Sequence, residues 1–218
     1  MLGMAAAPVC VCLVYIFIRD KYEKEPIKLL CTGLLFGIII TVPIIHTQNF
    51  LVRFTPYSLE GEKIFHSYVV AAAVEELFKF LVLCALMWRH RELDEHFDGI
   101  VYAVFVSLGF AGVENVMYVT NPSIGGVWTA ASRAFFSVPG HMFFGVCMGY
   151  YFSLAKFEKK RACIFKAFFV TFLMHGTYDY VLLSKSRYMF VPFGILVVYM
   201  WVQGFYKMRK HLQKSPFK

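Results

Sequence analysis

The run Glu75-Glu76-Leu77-Phe78-Lys79 lies inside an apolar stretch, Ile64 to Trp88, that hydropathy alone places across a bilayer. Ionised side chains near mid-membrane cost at least roughly 2.5 to 3.5 kcal/mol each on insertion scales, and they line a cavity, a proton path or a reaction centre. Whatever this chain folds into has to give those two carboxylates a reason to be there.

The rest of the 218 residues fits a membrane bundle. The chain is 59% hydrophobic and 17% charged, far from the profile of a soluble domain. Apolar blocks at 2–18, 28–52, 64–88, 99–119, 131–154, 163–183 and 188–206 are each long enough to cross the hydrocarbon at about 1.5 Å per residue. The fold class is therefore all-α, a polytopic bundle of about seven transmembrane helices, with the last two separated only by Ser184 to Arg187. No segment between spans is long enough to fold separately, so residues 1–218 read as a single integral-membrane domain. Residues 2–18 read as a retained anchor, not a removed signal peptide.

Loops alternate sides, and Lys and Arg fall unevenly. Sixteen lie in the 19–28 loop, after the third span, around 155–166 and in the tail, against Arg53, Lys63, Arg133, Lys185 and Arg187 on the other side. Cytoplasmic loops retain such residues, which puts the N-terminus outside the cell membrane and the C-terminus in the cytoplasm. The net charge of +8 is then mostly topology, with some attraction to membrane lipids, and requires no nucleic acid. The six cysteines lie in or beside the spans without CxxC spacing and read as packing residues. Gly33/Gly37, Gly145/Gly149 and Gly109/Gly112 are spaced for close helix contact.

Further ionisable groups sit in other spans: Glu114 beside Asn115, His141, and His175 with Asp179. Counted from the outer ends at about 1.5 Å per residue, Glu75 and His141 lie roughly 15 Å deep, His175 roughly 12, Glu114 roughly 9 and Asp179 roughly 6. They share the outer half of the bilayer, whereas the cytoplasmic half is nearly free of charge. Glu75 and Glu76 are four and three residues before Lys79, so the ammonium pairs with one carboxylate while the other points elsewhere. His175 and Asp179 are also four apart, a spacing that lets a carboxylate orient an imidazole.

A carboxylate can take a proton from water, and imidazoles or amides can hold a developing oxyanion. These parts suit peptide-bond hydrolysis inside a membrane. No HExxH, GxSxG or GxGD run is present. A proton- or metal-ion-coupled transporter is the alternative, but it predicts polar groups spread through the full depth.

Taken in order, Glu75-Glu76-xx-Lys79, Glu95-His96-Phe97-Asp98-Gly99, Gly109-Phe110-Ala111-Gly112-Val113-Glu114-Asn115, Pro139-Gly140-His141 and His175-Gly176-xx-Asp179 resemble the PrsW family of bacterial intramembrane proteases. The Lys21-Tyr22-x-x-Glu25-Pro26 loop extends the resemblance over nearly the whole chain. It implies a site-1 protease that cuts a single-span anti-sigma factor on its extracytoplasmic side under envelope stress, after which a site-2 protease continues the cascade. PrsW proteins are similar to the CAAX-prenyl endopeptidases, where one of two paired glutamates activates water. On that analogy Glu75 is the base and Glu76, with Lys79, its support, although the two could be exchanged. Glu114, His141 and His175 complete the site, and Asn115 and Asp179 support it. Lys79 replaces an arginine one position further on, and Asp179 stands where asparagine is common. No cofactor is required by this reading, but two histidines and several carboxylates also compose a zinc-like set, which leaves metal open. Glu95 and His96 read as solvated or interfacial.

Overall fold

The computed structural model describes residues 1–184 and 187–218; Lys185 and Ser186, within the short link expected between the last two spans, lie outside the described residues. No strand occurs among the described residues. The helices form seven rods that follow the seven apolar blocks. They are α1 (Leu2–Arg19), α2 (Ile27–Ile39) continued by α3 (Thr41–Leu51), and α4 (Leu59–Ile64) joined through a π-helical segment, Phe65–Ala73, to α5 (Val74–Met87). Then come α6 (Asp98–Thr120), α7 (Val127–Ser132) joined through π-helical Arg133–Ser137 to α8 (Val138–Phe157), α9 (Ala162–Leu183) and α10 (Phe190–Leu212). Among the described residues, four rods are long and apolar enough by themselves to cross a membrane. The others carry the Glu75/Glu76/Lys79 group, His141, and the His175/Asp179 pair.

The bundle is built around α6, in which every residue from Asp98 to Ala111 is buried, as expected of a helix that is apolar on all faces. Glycines admit its neighbours. A Cβ on Gly37 of α2 would run into the Val106 carbonyl and Gly109, and one on Gly149 of α8 would run into Gly99 and Ile100. Gly33 faces Val106 and Gly37 faces Gly109, so α2 runs parallel to α6; Gly145 faces Val104 and Gly149 faces Gly99, so α8 runs antiparallel. The α1 helix is antiparallel too, with Val9 against Gly112 and Asn115 Nδ2 donating to the Ala5 carbonyl at 2.7 Å. This is the alternation that consecutive spans require. Outward, the surface is apolar, with Val11, Leu35, Phe165 and Val198 all exposed.

Three local irregularities position the site. Pro43 has no N–H for the Ile39 carbonyl and its ring crowds that carbonyl, so the second rod breaks at Ile40. Beyond the break α3 turns from α6, which α2 had followed closely, and packs mainly on α5 and the first π-helical segment. That segment is seated on α9 by Tyr68, whose ring lies against Gly176 and whose hydroxyl is 2.9 Å from Thr177 Oγ1. In the fifth rod Pro139 removes the N–H that would bond the Phe135 carbonyl, and the widened turn Arg133–Ser137 precedes it.

The lysine-rich end holds a residue, Glu95, that the sequence reads as solvated or interfacial. Glu95 is fully buried, and so are Asp20, Glu25 and Asp98. The span ends on the lysine-rich side, expected to be nearly free of charge, thus carry four buried carboxyl groups. Asp98 ties down the turn that leads into its helix by accepting from the N–H groups of Asp94 (2.9 Å) and Glu95 (2.7 Å), and Tyr102 donates to Glu25. The motif around Glu25 and the motif around Asp98 therefore meet and fasten the α1–α2 loop to the start of α6.

Two outcomes follow from this packing. Burial pushes the Asp20 carboxyl up to about 6 and the Glu25 carboxyl up to about 8, against the hydrogen bonds that hold them down. The folded state then binds more protons than the unfolded chain, so stability present at acid pH is lost as pH rises through those values. Thermal unfolding of detergent-solubilised protein should fall between about pH 5 and pH 8, and Glu25→Gln should flatten the fall. Gly37→Val and Gly149→Val should each destabilise the bundle by at least ~1–3 kcal/mol, since the added groups meet backbone that has no rotamer to yield; denaturant titration of purified protein reads this directly.

Candidate active site

At the end of the bundle opposite the lysine-rich end lies a cavity of about 940 Å³. Its lining includes Glu75, Glu114, His141, His175 and Asp179, each from the span expected to supply it, together with Gln48 and Asn49 of α3, Arg133 and Tyr178. Glu76 and Lys79 lie in the buried wall beneath, at 0% and 1% exposure. Four rods thus bring their ionisable groups to one place.

Lys79 is the hub. Its ammonium is 2.8 Å from Glu76 Oε1, 3.4 Å from Glu75 Oε2 and 3.4 Å from His141 Nδ1, and it lies 4.4 Å over the Phe110 ring. The spacing argument assigned it one carboxylate; it touches both, because Glu75 and Glu76 lie side by side one turn before it, at i−4 and i−3. Glu76 Oε1 also takes His175 Nδ1 at 2.9 Å. The other nitrogen of His175 is 3.3 Å from Asp179 Oδ2 and 4.0 Å from Glu75 Oε2, and its ring stacks on Phe144. Asp179 therefore orients His175, as the four-residue spacing predicts.

The tautomer of His141 follows from its neighbours. An ammonium only donates, so Nδ1 accepts from Lys79 and Nε2 donates to Glu114 Oε2 at 3.0 Å. Both nitrogens are engaged, which makes His141 a link between α5 and α6. Glu114 Oε2 also accepts from Arg133 Nη2 at 2.5 Å, and Arg133 Nε donates to Asn115 Oδ1 at 2.7 Å. Asn115 points at α1 and Arg133, so it acts on the cavity through them.

Arg133 and Gln48 are among the cavity residues that the sequence did not single out. Arg133 was counted only as a loop charge, although it is 9% exposed and paired with Glu114. Gln48 donates from Nε2 to Glu75 Oε1 at 3.2 Å. The polar run Thr47-Gln48-Asn49 inside an apolar block was the available signal.

The donor chemistry also fits a metal ion. Glu75, Glu76 and His175 each offer a ligand atom within 4.8 Å of the others, and so do Glu75, Glu114 and His141. Glu76 Oε2 is buried with no hydrogen-bond partner. Carboxylate oxygen with imidazole nitrogen is a usual zinc set.

Comparison with known proteins points the same way. The family described as "PrsW family intramembrane metalloprotease" matches residues 25–205. Protease PrsW of Clostridioides difficile (strain 630) is 33% identical over 97% of this chain and 91% of that protein. The protein of that name from Geobacillus kaustophilus (strain HTA426) is 35% identical over 96% of this chain and 91% of its own length. The Bacillus subtilis (strain 168) protein is 32% identical over 94% and 92%. No solved structure matches the chain. With a match of this extent the chain belongs to the PrsW family of intramembrane proteases.

Proposed function

We propose that this protease hydrolyses a peptide bond at the outer end of a single-span anti-sigma factor, the site-1 cut after which a site-2 protease acts, and that Glu75 is its general base. The observation that carries the reading is the paired arrangement of α5. Glu76 is fully enclosed by Lys79 and His175, whereas Glu75 lines the open cavity. Only the second carboxylate can meet a water and a substrate carbonyl. This favours Glu75 as base over the exchanged assignment.

Gln48 holds Glu75 Oε1, which leaves Oε2, the oxygen nearer Lys79 and His175, to accept the proton of the attacking water and return it to the leaving amine. His175 is held at Nδ1 by Glu76 and at Nε2 by Asp179, and its Nε2–H would pass from Asp179 to the developing oxyanion as charge builds there. Asp179 accepts and does not donate, so it serves through His175 where an asparagine would donate by itself. His141 and Arg133 keep Glu114 in place across the cavity. A zinc-like ion held by Glu75, Glu76 and His175 would supply a more acidic bound water and a polarised carbonyl.

The charge asymmetry supports an orientation with the cavity outward, the N-terminus outside and the tail in the cytoplasm, all 218 residues acting as one bacterial cell-membrane domain. Lipid is the only other partner this requires. The transporter reading gains nothing from the family, and Ala103, Val104, Phe105, Val106 and Leu108 form a buried apolar layer between the two polar ends of α6.

In vesicles carrying the protein and a tagged anti-sigma factor, Glu75→Gln should lower cutting by ~10²-fold or more while leaving the fold intact. Cutting at the wild-type rate by a well-folded Glu75→Gln protein would end the assignment. Treatment with a chelator separates the chemistries: loss of cutting that zinc restores places an ion in the site, and indifference to chelator establishes a glutamate acting on its own.

A further inference from the structure

A helical span buries its own backbone hydrogen bonds, so a bond inside it is presented for hydrolysis only after local unwinding. In hydrocarbon each N–H and C=O freed in this way costs several kcal/mol unless something pairs with it. The route by which a substrate reaches the cavity must therefore be apolar enough to admit a span and must offer hydrogen-bonding groups near the cut.

One flank of the cavity has both properties. From Gly33 to Gly37 α2 is pressed on α6; past the Ile40 break α3 keeps to α6 through Ile44, which shares an apolar cluster with Val106 and Phe110, and then packs on α5 and the first π-helical segment. The opening between them is lined on one side by Thr41, Ile45, Gln48 and Asn49, and on the other by Phe110, Glu114, Met117 and Tyr118. Met117 and Tyr118 are 48% and 41% exposed, at a level where the molecule faces lipid. The fissure ends on Glu75, to which Gln48 already donates.

Resting on the protease reading, we propose that the fissure between α3 and the far half of α6 is the entry and docking groove for the substrate's transmembrane segment. Its unwound outer end is received by the amides of Gln48 and Asn49. Primary amides both donate and accept, so they can pair with either kind of freed backbone group. The occupant is an apolar single span, not a soluble peptide, because Ile45, Met117 and Phe110 form the wall below the amides.

A second cavity of about 590 Å³ provides the contrast. It lies among α1, α7, α8 and α10 and is lined by Met4, Val11, Ala134, Met142 and Trp201. Its lining is almost wholly apolar, and it holds none of the ionisable residues of the site.

The test places a photoreactive benzophenone amino acid singly at Ile45, Met117, Val11 or Trp201 in the Glu75→Gln protein, which holds substrate uncut. The probe is a single-span anti-sigma factor with a tag at each end, reconstituted in the same vesicles. Adducts at Ile45 and Met117, and none at Val11 and Trp201, are expected. Adducts at Val11 or Trp201 that equal or exceed those at Ile45 and Met117 would overturn the groove assignment. The unmodified protein is assayed in parallel, and its failure to cut the probe would overturn the substrate reading and this inference with it.

Discussion

The placement of the Lys79 ammonium is the constraint on which the rest of the structure depends. Two adjacent glutamates in a membrane helix repel each other and are both costly to bury; one cation between them answers both problems. Held there, Lys79 also reaches His141 of α8, and Glu76 reaches His175 of α9. The neutralisation of α5 is thus completed by two other rods, so assembling the bundle and assembling the site are one process. Removing one member of such a buried group typically costs ~3–5 kcal/mol, because the others are left charged and unpaired.

The spine of α6 separates two polar layers that have different work. At the lysine-rich end Asp20, Glu25, Glu95 and Asp98 face a loop and a helix start, where the turn held by Asp98 and the Tyr102 hydrogen bond fix how the chain re-enters the bundle. At the other end Glu114 is tied to Arg133 and His141 beside an open cavity. The same helix can carry both because everything between them is apolar and closely packed, and Ser107, the polar side chain there, is spent on the His141 carbonyl at 2.8 Å.

The rods, their order and the convergence of Glu75, Glu114, His141, His175 and Asp179 were legible in the sequence, because the membrane penalises ionisable groups so heavily that each one marks an interior face. What escaped was set by geometry that residue spacing does not carry. The break at Ile40 is visible as Pro43, but not the direction in which α3 then leaves. The π-helical segments change the helical phase ahead of α5 and α8 with no strong signature, which is why Arg133 read as a loop charge. Lys79 touching both glutamates, and the full burial of Glu95, depend on packing distances finer than a helical wheel resolves.

A protease that works in a bilayer has to meet two opposed demands. Its reacting groups must be held in place before the substrate arrives, since stabilisation of a developing charge depends on preorganised partners, yet a helix-sized substrate must reach them. The structure divides these demands between rods. Tight glycine contacts and the shared ions fix α5, α6, α8 and α9, which carry the charged groups. Past Ile40 the second rod turns from α6 toward α5 as α3, and α3 contributes amides, not charges. A neutral amide can be displaced from Glu75 by a substrate backbone with little electrostatic penalty, whereas displacing Lys79 or Arg133 would expose unpaired carboxylates. Mobility is affordable on that wall alone, so the gap beside it is where the charge arrangement permits a substrate to enter.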